Sequence, residues 1–497
     1  MTDKGTDMGL FTDLPGDDGL PGPQRRLAMI ALMTATAMTV LDGTIVNIAL
    51  PQIALALKVS AGAAIWVANG YLLAAAMTLA IFASLASRIG YRNQYAGGLA
   101  VFTLASLGCA LAPSLGVLIG MRLLQGIGAS AVLSIGPAIL RTVFPNRLLG
   151  RILGLNALMV AATTAIGPAL GGTLLAVSSW EWLFAINVPL GLVGLVLIMR
   201  AIPGERASVP GRFDNAGAVL SALAMGALIM AAEACQRVGT PGQSEAAGLH
   251  ALAYGAAAVV AGLAFVWRQR HAAQPLLPLT IFASTRFSLA ALTSLISFVG
   301  QGIAFIALPF LFQSNYGYSA LHAALLFTPW PLGIILAAPQ AGKLSDRYPP
   351  IALSSAGLAV FTLGLALLAL LPAHAAAWDI CWRGFICGIG FGFFQSPNNR
   401  EMLSNTSREH SANASGVLAI MRTFGQCFGA ALMGIIVSVF GAHVIAGTGS
   451  LASAAQDASA IRLSLWVAAA ATALATLVSV SRLRALRAAP SPPPANP

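Results

Sequence analysis

Apolar positions along this chain fall neither on one helical stripe nor in strict alternation. They form runs of about twenty residues separated by short polar gaps, the length a helix needs to cross a bilayer. That template predicts about fourteen spans. The first six lie near 27–50, 63–84, 95–112, 115–140, 152–177 and 182–201, and a central pair near 214–235 and 247–267. The last six lie near 287–312, 321–341, 351–372, 378–399, 414–440 and 461–481. Backbone in hydrocarbon must bond within its own segment, so runs of this length predict helices. The expected fold class is all-α integral membrane, with about 14 transmembrane helices.

Composition agrees: 57% of the 497 residues are hydrophobic and 9% are charged, against roughly 25% charged in soluble domains. The formal charge of +11 suggests nucleic acid until the charges are placed. Counted with the N-terminus inside, the inner gaps hold Lys4, Arg25, Arg26, Arg88, Arg92, Arg141, Arg147, Arg151, Arg200, Arg206, Arg212, Arg268, Arg270 and Arg286. They also hold Lys343, Arg347, Arg400, Arg408, Arg482, Arg484 and Arg487. Lys58, Arg237 and Arg462 fall outside, and Arg122, Arg383 and Arg422 lie within spans. This asymmetry predicts both termini in the cytoplasm of a multi-pass inner (plasma) membrane protein. No basic stripe interleaves with aromatics, which argues against a nucleic-acid partner. The five cysteines and six histidines are scattered without metal-ligand spacing, so no metal is assigned.

Two internal echoes divide the chain. Leu85-Ala-Ser-Arg-Ile-Gly90 after the second span resembles Leu344-Ser-Asp-Arg-Tyr-Pro349 after the tenth. Arg122, followed by Gly126-Ile-Gly128, is matched by Arg383, followed by Gly388-Ile-Gly390. Both place the ninth span in the role of the first. The expected organisation is a disordered acidic tail (1–26), six helices (27–201), a central pair with linkers (202–286), six more helices (287–481) and a tail (482–497).

Asp42 is the leading candidate for chemistry. A charge inside a span costs on the order of 2.5–3.5 kcal/mol even on the gentlest scale, and such residues usually face a bundle interior or a water-filled cavity. A carboxylate there can exchange protons or pair with a cationic substrate; a structural ion pair is the plainer alternative. Arg122 lies at nearly the same depth, about 10 Å below the outer end of its span at 1.5 Å per residue, and Gln125 is one turn on. Gly167, Pro168, Gly171 and Gly172 remove bulk and one backbone donor from the fifth span, which suits a helix that bends or seals against a neighbour. Arg88, Arg92, Asp346 and Arg347 form a candidate inner-side latch, with ordinary inside charges as the alternative. Glu233 reads as interfacial, Asp379 and Arg383 as an i,i+4 pair, and Arg422 as a buried arginine whose partner the sequence does not name.

Leu41-Asp-Gly-Thr-Ile-Val-Asn-Ile-Ala-Leu-Pro-Gln-Ile53 resembles the first-span motif of the fourteen-span drug/proton antiporters (EmrB/QacA type) of the major facilitator superfamily. Arg122-Leu-Leu-Gln-Gly-Ile-Gly128 is similar to the fourth-span motif associated with proton coupling, and Gly167-Pro-Ala-Leu-Gly-Gly172 to the fifth-span motif of exporters. Trp180-Glu-Trp-Leu-Phe-Ala-Ile-Asn-Val-Pro189, Gln395-Ser-Pro-Asn-Asn399 and Arg422-Thr-Phe-Gly425 also resemble this branch.

The resemblance runs from about 27 to 481. It implies two six-helix bundles with an inserted central helix pair, alternating access, and export of small amphipathic, cationic compounds driven by the proton motive force without a cofactor. The implied partners are the small-molecule substrate, protons and the lipid bilayer; a periplasmic adaptor subunit is left open. Where the family carries an acid in the loop after the second span, this chain has Ser87, and no acid lies inside the tenth or thirteenth span, which weakens the case for a dicationic drug. A metabolite transporter of the same fold, or an intramembrane enzyme, are the alternatives.

Overall fold

A computed structural model describes residues 10–13, 17–145, 148–204, 213–238, 244–272, 275–276, 279–345, 347–372, 375–404, 411–440 and 451–488. These form seventeen α-helices. The first eight are α1 (Gly22–Ala56), α2 (Ala61–Ile89), α3 (Tyr91–Ala110), α4 (Leu115–Leu133), α5 (Gly136–Val143), α6 (Leu149–Val177), α7 (Trp182–Ala185) and α8 (Asn187–Ala201). Then come α9 (Asn215–Val238) and α10 (Ser244–His271). The remainder are α11 (Thr285–Phe310), α12 (Ala320–Phe327), α13 (Pro329–Leu344), α14 (Pro350–Ala369), α15 (Ala377–Ser404), α16 (Ser411–Phe440) and α17 (Leu451–Ala488). Each expected span coincides with a helix or two consecutive ones, and among the described residues ten helical segments are long and apolar enough to cross a membrane.

The breaks within spans have local causes. The fourth span divides before Gly136-Pro137 and the tenth at Thr328-Pro329, where proline supplies no backbone N–H and crowds the preceding turn. After Pro309 the end of α11 widens into a π-turn over Leu311–Asn315, with the Tyr316 amide bonding to the Leu311 carbonyl at 3.1 Å. α10 turns Leu249, Leu252, Val259, Val260, Leu263 and Trp267 outward, a surface suited to lipid rather than water.

The helices pack in two groups. α1 lies on α2, α6 and α8, while α4 lies on α2 and α3. α11 lies on α16 and α17, and α15 on α13 and α14. α9 and α10 pair with each other, with α9 touching α2 and α16. The groups meet along α2–α16 and α6–α12.

The sequence echo has a structural counterpart in backbone contact. A Cβ on Gly126 would lie 2.3 Å from the Tyr71 carbonyl oxygen of α2, and one on Gly128 would lie 2.5 Å from the Phe102 nitrogen of α3. A Cβ on Gly388 would lie 2.0 Å from the Trp330 carbonyl oxygen of α13, and one on Gly390 would lie 2.3 Å from the Phe361 nitrogen of α14. In both groups two glycines on one helix admit two neighbours to backbone contact, the close approach that helix association in lipid favours.

The terminal segments differ from expectation. Residues 10–13 and 17–21, read as part of a disordered tail, fold back on the first turn of α1. Arg25, read as an ordinary inside charge, is buried; it pairs with Asp13 and donates from Nε to the Leu20 carbonyl at 2.6 Å. The Leu20 amide bonds to the Val143 carbonyl at the end of α5 at 3.0 Å. An arginine that satisfies carbonyls and a carboxylate together can order a short polar segment against its low apolar content. At the other end, α17 continues to Ala488, and Arg482 is buried with its Nη1 bonded to Asn398 Oδ1 at 3.0 Å.

Gly390→Leu is expected to destabilise the protein by about 1–3 kcal/mol through overpacking, lowering the melting temperature of the purified chain. Gly384→Leu on the same helix, where a Cβ meets nothing within 4 Å, serves as the control and is expected to melt like the wild type.

Candidate functional site

Asp42 sits midway along α1, fully enclosed. Five helices besides its own contribute to the network around it. From α4, Arg122 Nη1 pairs with Asp42 Oδ2 and also donates to Gln125 Oε1 at 2.6 Å. Gln125 Nε2 donates to Asp42 Oδ1 at 2.8 Å and to Ser106 Oγ of α3 at 2.8 Å. From α8, Asn187 Nδ2 donates to Asp42 Oδ1 at 2.9 Å. From α2, the Val67 carbonyl accepts Arg122 Nε at 2.9 Å, and the Tyr71 ring lies under the guanidinium at 4.4 Å. Phe184 of α7 covers the same guanidinium at 5.6 Å.

The spacing of the sequence makes this meeting local on α4. Arg122 and Gln125 are three apart and so share one face of their helix, and Gly126 brings that helix to backbone contact with α2. Ser106 returns its own proton to the Phe102 carbonyl at 2.7 Å, which leaves its lone pairs for Gln125. Tyr71 donates to the Thr39 carbonyl of α1 at 2.9 Å. A buried ion pair repays its desolvation only when its remaining hydrogen-bonding capacity is met. Here the carboxylate accepts from Arg122, Gln125 and Asn187, and cation–π contact adds to the arginine's side. Asp42 thus supplies the negative half of a charge pair whose positive half, Arg122, is enclosed with it.

The fifth-span motif lies directly against the site. On α6, a Cβ at Gly167 would lie 2.3 Å from Thr44 Oγ1, and one at Gly171 would lie 2.6 Å from Ile45 Cγ1, both on the turn of α1 that follows Asp42. One at Gly172 would lie 2.6 Å from the Ala324 Cβ of α12. Pro168 lines a small pocket with Thr44, Asn47, Ile48, Thr164, Phe305, Pro309 and Phe327. The motif thus joins the Asp42 helix to the second group of helices.

The inner-side candidates are placed differently. The Arg88 guanidinium stacks over Phe213 at 5.2 Å, and the Arg92 guanidinium lies beside Gly204, both on the segment between α8 and α9. Arg347 is exposed, and Asp346 lies outside the described residues. Asp379 and Arg383 do pair along α15, at 2.9 Å from Nη2 to Oδ2, and Arg383 also donates to the Leu367 carbonyl. The Glu233 side chain lies outside the described residues. Arg422 lies on α16 one turn before Gln426, which donates to Gln301 of α11 at 3.1 Å.

Asn187, Ser106 and Tyr71 belong to the site and were not singled out from the sequence. For Asn187 a signal existed, an amide at the start of an otherwise apolar run within the Trp180–Pro189 motif. Ser106 and Tyr71 are of types common in membrane helices, and nothing local distinguishes them.

The sequence model of the Major Facilitator Superfamily matches residues 32–430. The chain is 43% identical over 429 residues to the uncharacterized transporter YebQ of Escherichia coli, covering 85% of this chain and 92% of that one. It is 30% identical over 416 residues to the multidrug resistance protein Stp of Mycobacterium tuberculosis, covering 83% and 76% respectively. Its fold matches that of a bacterial homologue of the human lysosomal transporter Spinster in an inward-facing, unoccupied conformation, with a TM-score of 0.68 at 16% identity over 95% of this chain and 99% of that one. Helices, charge network and relatives agree that this chain belongs to the major facilitator superfamily and is a multi-pass membrane transporter.

Proposed function

We propose that the chain is a proton-coupled antiporter of the inner membrane, exporting small amphipathic compounds by alternating access, with both termini in the cytoplasm. The observation that carries this reading is the enclosed Asp42–Arg122–Gln125–Asn187 network, on the one stretch of α1 that the α6 glycines clasp. When a proton reaches Asp42, the pair with Arg122 loses its attraction, and a conformation in which Arg122 finds other partners gains in population. The proton motive force then supplies the work, and no cofactor is required. The resistance relative supports drug-like cargo. α6 couples the change to the second helix group, because it touches α1 through Gly167 and Gly171 and α12 through Gly172. The Arg88, Arg92, Asp346 and Arg347 segments serve as inner contacts that differ between the two end states.

Cells carrying the wild type are expected to extrude a lipophilic dye, and a protonophore is expected to stop them. Asp42→Asn is expected to lower efflux at least about tenfold at equal membrane level, the scale of losing a charged hydrogen bond. Uncoupler-sensitive efflux that survives Asp42→Asn would remove Asp42 from the coupling. Accumulation rather than loss of dye in whole cells would reverse the direction.

Melting of the purified variants gives a second check. Asp42→Asn leaves Arg122 enclosed without a counter-charge and is expected to cost about 3–5 kcal/mol. The double change Asp42→Asn with Arg122→Gln is expected to regain much of that stability and none of the transport. In the same assays Gly171→Val is expected to abolish efflux and to lower the melting point, since the added side chain meets Ile45.

A further inference from the structure

Prolines mark one place between the two helix groups. Pro51 lies within α1, Pro168 within α6 and Pro309 within α11. A proline inside a helix carries no N–H, so the carbonyl four residues before it loses its regular donor. The carbonyls concerned are those of Asn47, Thr164 and Phe305. Residues four apart share a helix face, and all three line the cavity that Pro168 and Pro309 also line. That cavity lies where α1 and α6 of the first group meet α11 and α12 of the second.

The hydroxyls of the cavity have the same polarity. Thr44 donates its proton to the Leu41 carbonyl at 3.0 Å, and Thr164 to the Val160 carbonyl at 2.9 Å. What each hydroxyl has left to offer is lone pairs. Glycine at 167 keeps α6 clear of the Thr44 hydroxyl, since a Cβ there would lie 2.3 Å from its Oγ1. Phe305 and Phe327 form an apolar wall, their rings edge to face at 5.0 Å. No charged side chain is among the described residues that line the space. Asp42 is two residues from Thr44, but its carboxylate already accepts from Arg122, Gln125 and Asn187.

A cavity rich in acceptors and free of charge suits a ligand that brings the donors. Backbone without its helical partner is tolerated at membrane depth where it lines a cavity, and charges inside membrane proteins pair with backbone carbonyls. The room is that of about one water-sized group. A primary ammonium is of that size and carries three N–H donors on one nitrogen, and aromatic faces attract its charge. We propose that this cavity binds the head group of the cargo: the exported compound is an amphiphile with a protonated primary amine, held by the carbonyls that the prolines release and by the Thr44 and Thr164 hydroxyls. The site selects N–H donors, so a fully methylated ammonium of the same charge is disfavoured. The proposal rests on the reading of the chain as an exporter of small amphipathic compounds, and it names the group by which they are recognised. Cargo and carboxylate then occupy separate places on α1, which leaves Asp42 to the proton.

The test is equilibrium binding of 1-pyrenemethylammonium and its N,N,N-trimethyl derivative to the full chain in lipid nanodiscs. Binding is read by energy transfer from tryptophan and corrected with empty nanodiscs. The probes share ring and charge and differ in N–H donors. Wild type is expected to bind the primary ammonium about tenfold more tightly, the size of one hydrogen bond to a charged group. Pro309→Ala returns an amide to the Phe305 carbonyl, and Thr164→Val removes a hydroxyl at nearly equal size. Each is expected to weaken binding of the primary ammonium several-fold and to leave the trimethyl probe unchanged, whereas Thr164→Ser is expected to bind like wild type. If Pro309→Ala melts early, the comparison of Thr164→Val with Thr164→Ser carries the test. Equal binding of the two probes by wild type, or a preference that both variants keep, would overturn the proposal. So would a preference that falls because the trimethyl probe tightens, which is selection by size. Displacement of the primary ammonium by Na⁺ and not by choline, at equal ionic strength, would give the carbonyls to an alkali cation and overturn it too. Ammonium selectivity in a chain without uncoupler-sensitive efflux would sustain the site and remove the exporter reading; efflux without that selectivity would do the reverse.

Discussion

The structure depends on one obligation, the burial of a carboxylate in a helix otherwise suited to lipid. Asp42 can remain there only if every helix around it contributes. Arg122 supplies charge, Gln125 and Asn187 supply amide donors, and Ser106 holds Gln125 in the orientation that reaches the carboxylate. The close approach of α4 to α2 and α3 at Gly126 and Gly128 is part of the same arrangement, because side chains at those positions would hold the donors out of range. Helix packing and site chemistry are therefore one constraint in this part of the molecule.

The two halves share geometry and differ in charge. Gly126 and Gly128 have counterparts in Gly388 and Gly390, each pair admitting the same two neighbouring helices of its group. Arg122 reaches across to another helix for its acid, whereas Arg383 finds its acid four residues away on its own helix. An ion pair within one helix stays intact however that helix moves. One half thus holds a charge pair that rearrangement can break, and the other holds one that it cannot.

Much of this was legible in the sequence, for physical reasons that vary by residue. Runs of apolar residues as long as a bilayer is thick have few folding options, so each helix near an expected span follows from lipid and backbone hydrogen bonding alone. Asp42 and Arg122 stood out because charge is rare in such runs, and their meeting required only that α1 and α4 be neighbours. Asn187 and Tyr71 act through position in three dimensions, which a single sequence does not express. The division of two spans at Pro137 and Pro329 was likewise readable in principle, since proline withholds a donor. The folded segment before α1 was not, because its acidic, glycine-rich composition indicates disorder until Arg25 is seen to collect Asp13 and the Leu20 carbonyl.

That segment has a mechanical consequence. Through Leu20 it is bonded to the end of α5, and through Arg25 to the first turns of α1. The start of α1 and the end of α5 are thereby strapped together, although α4 and α5 are separated at Ile135. A displacement of the start of α1 would therefore pull on the end of α5, through the few residues around Leu20 that bond to both.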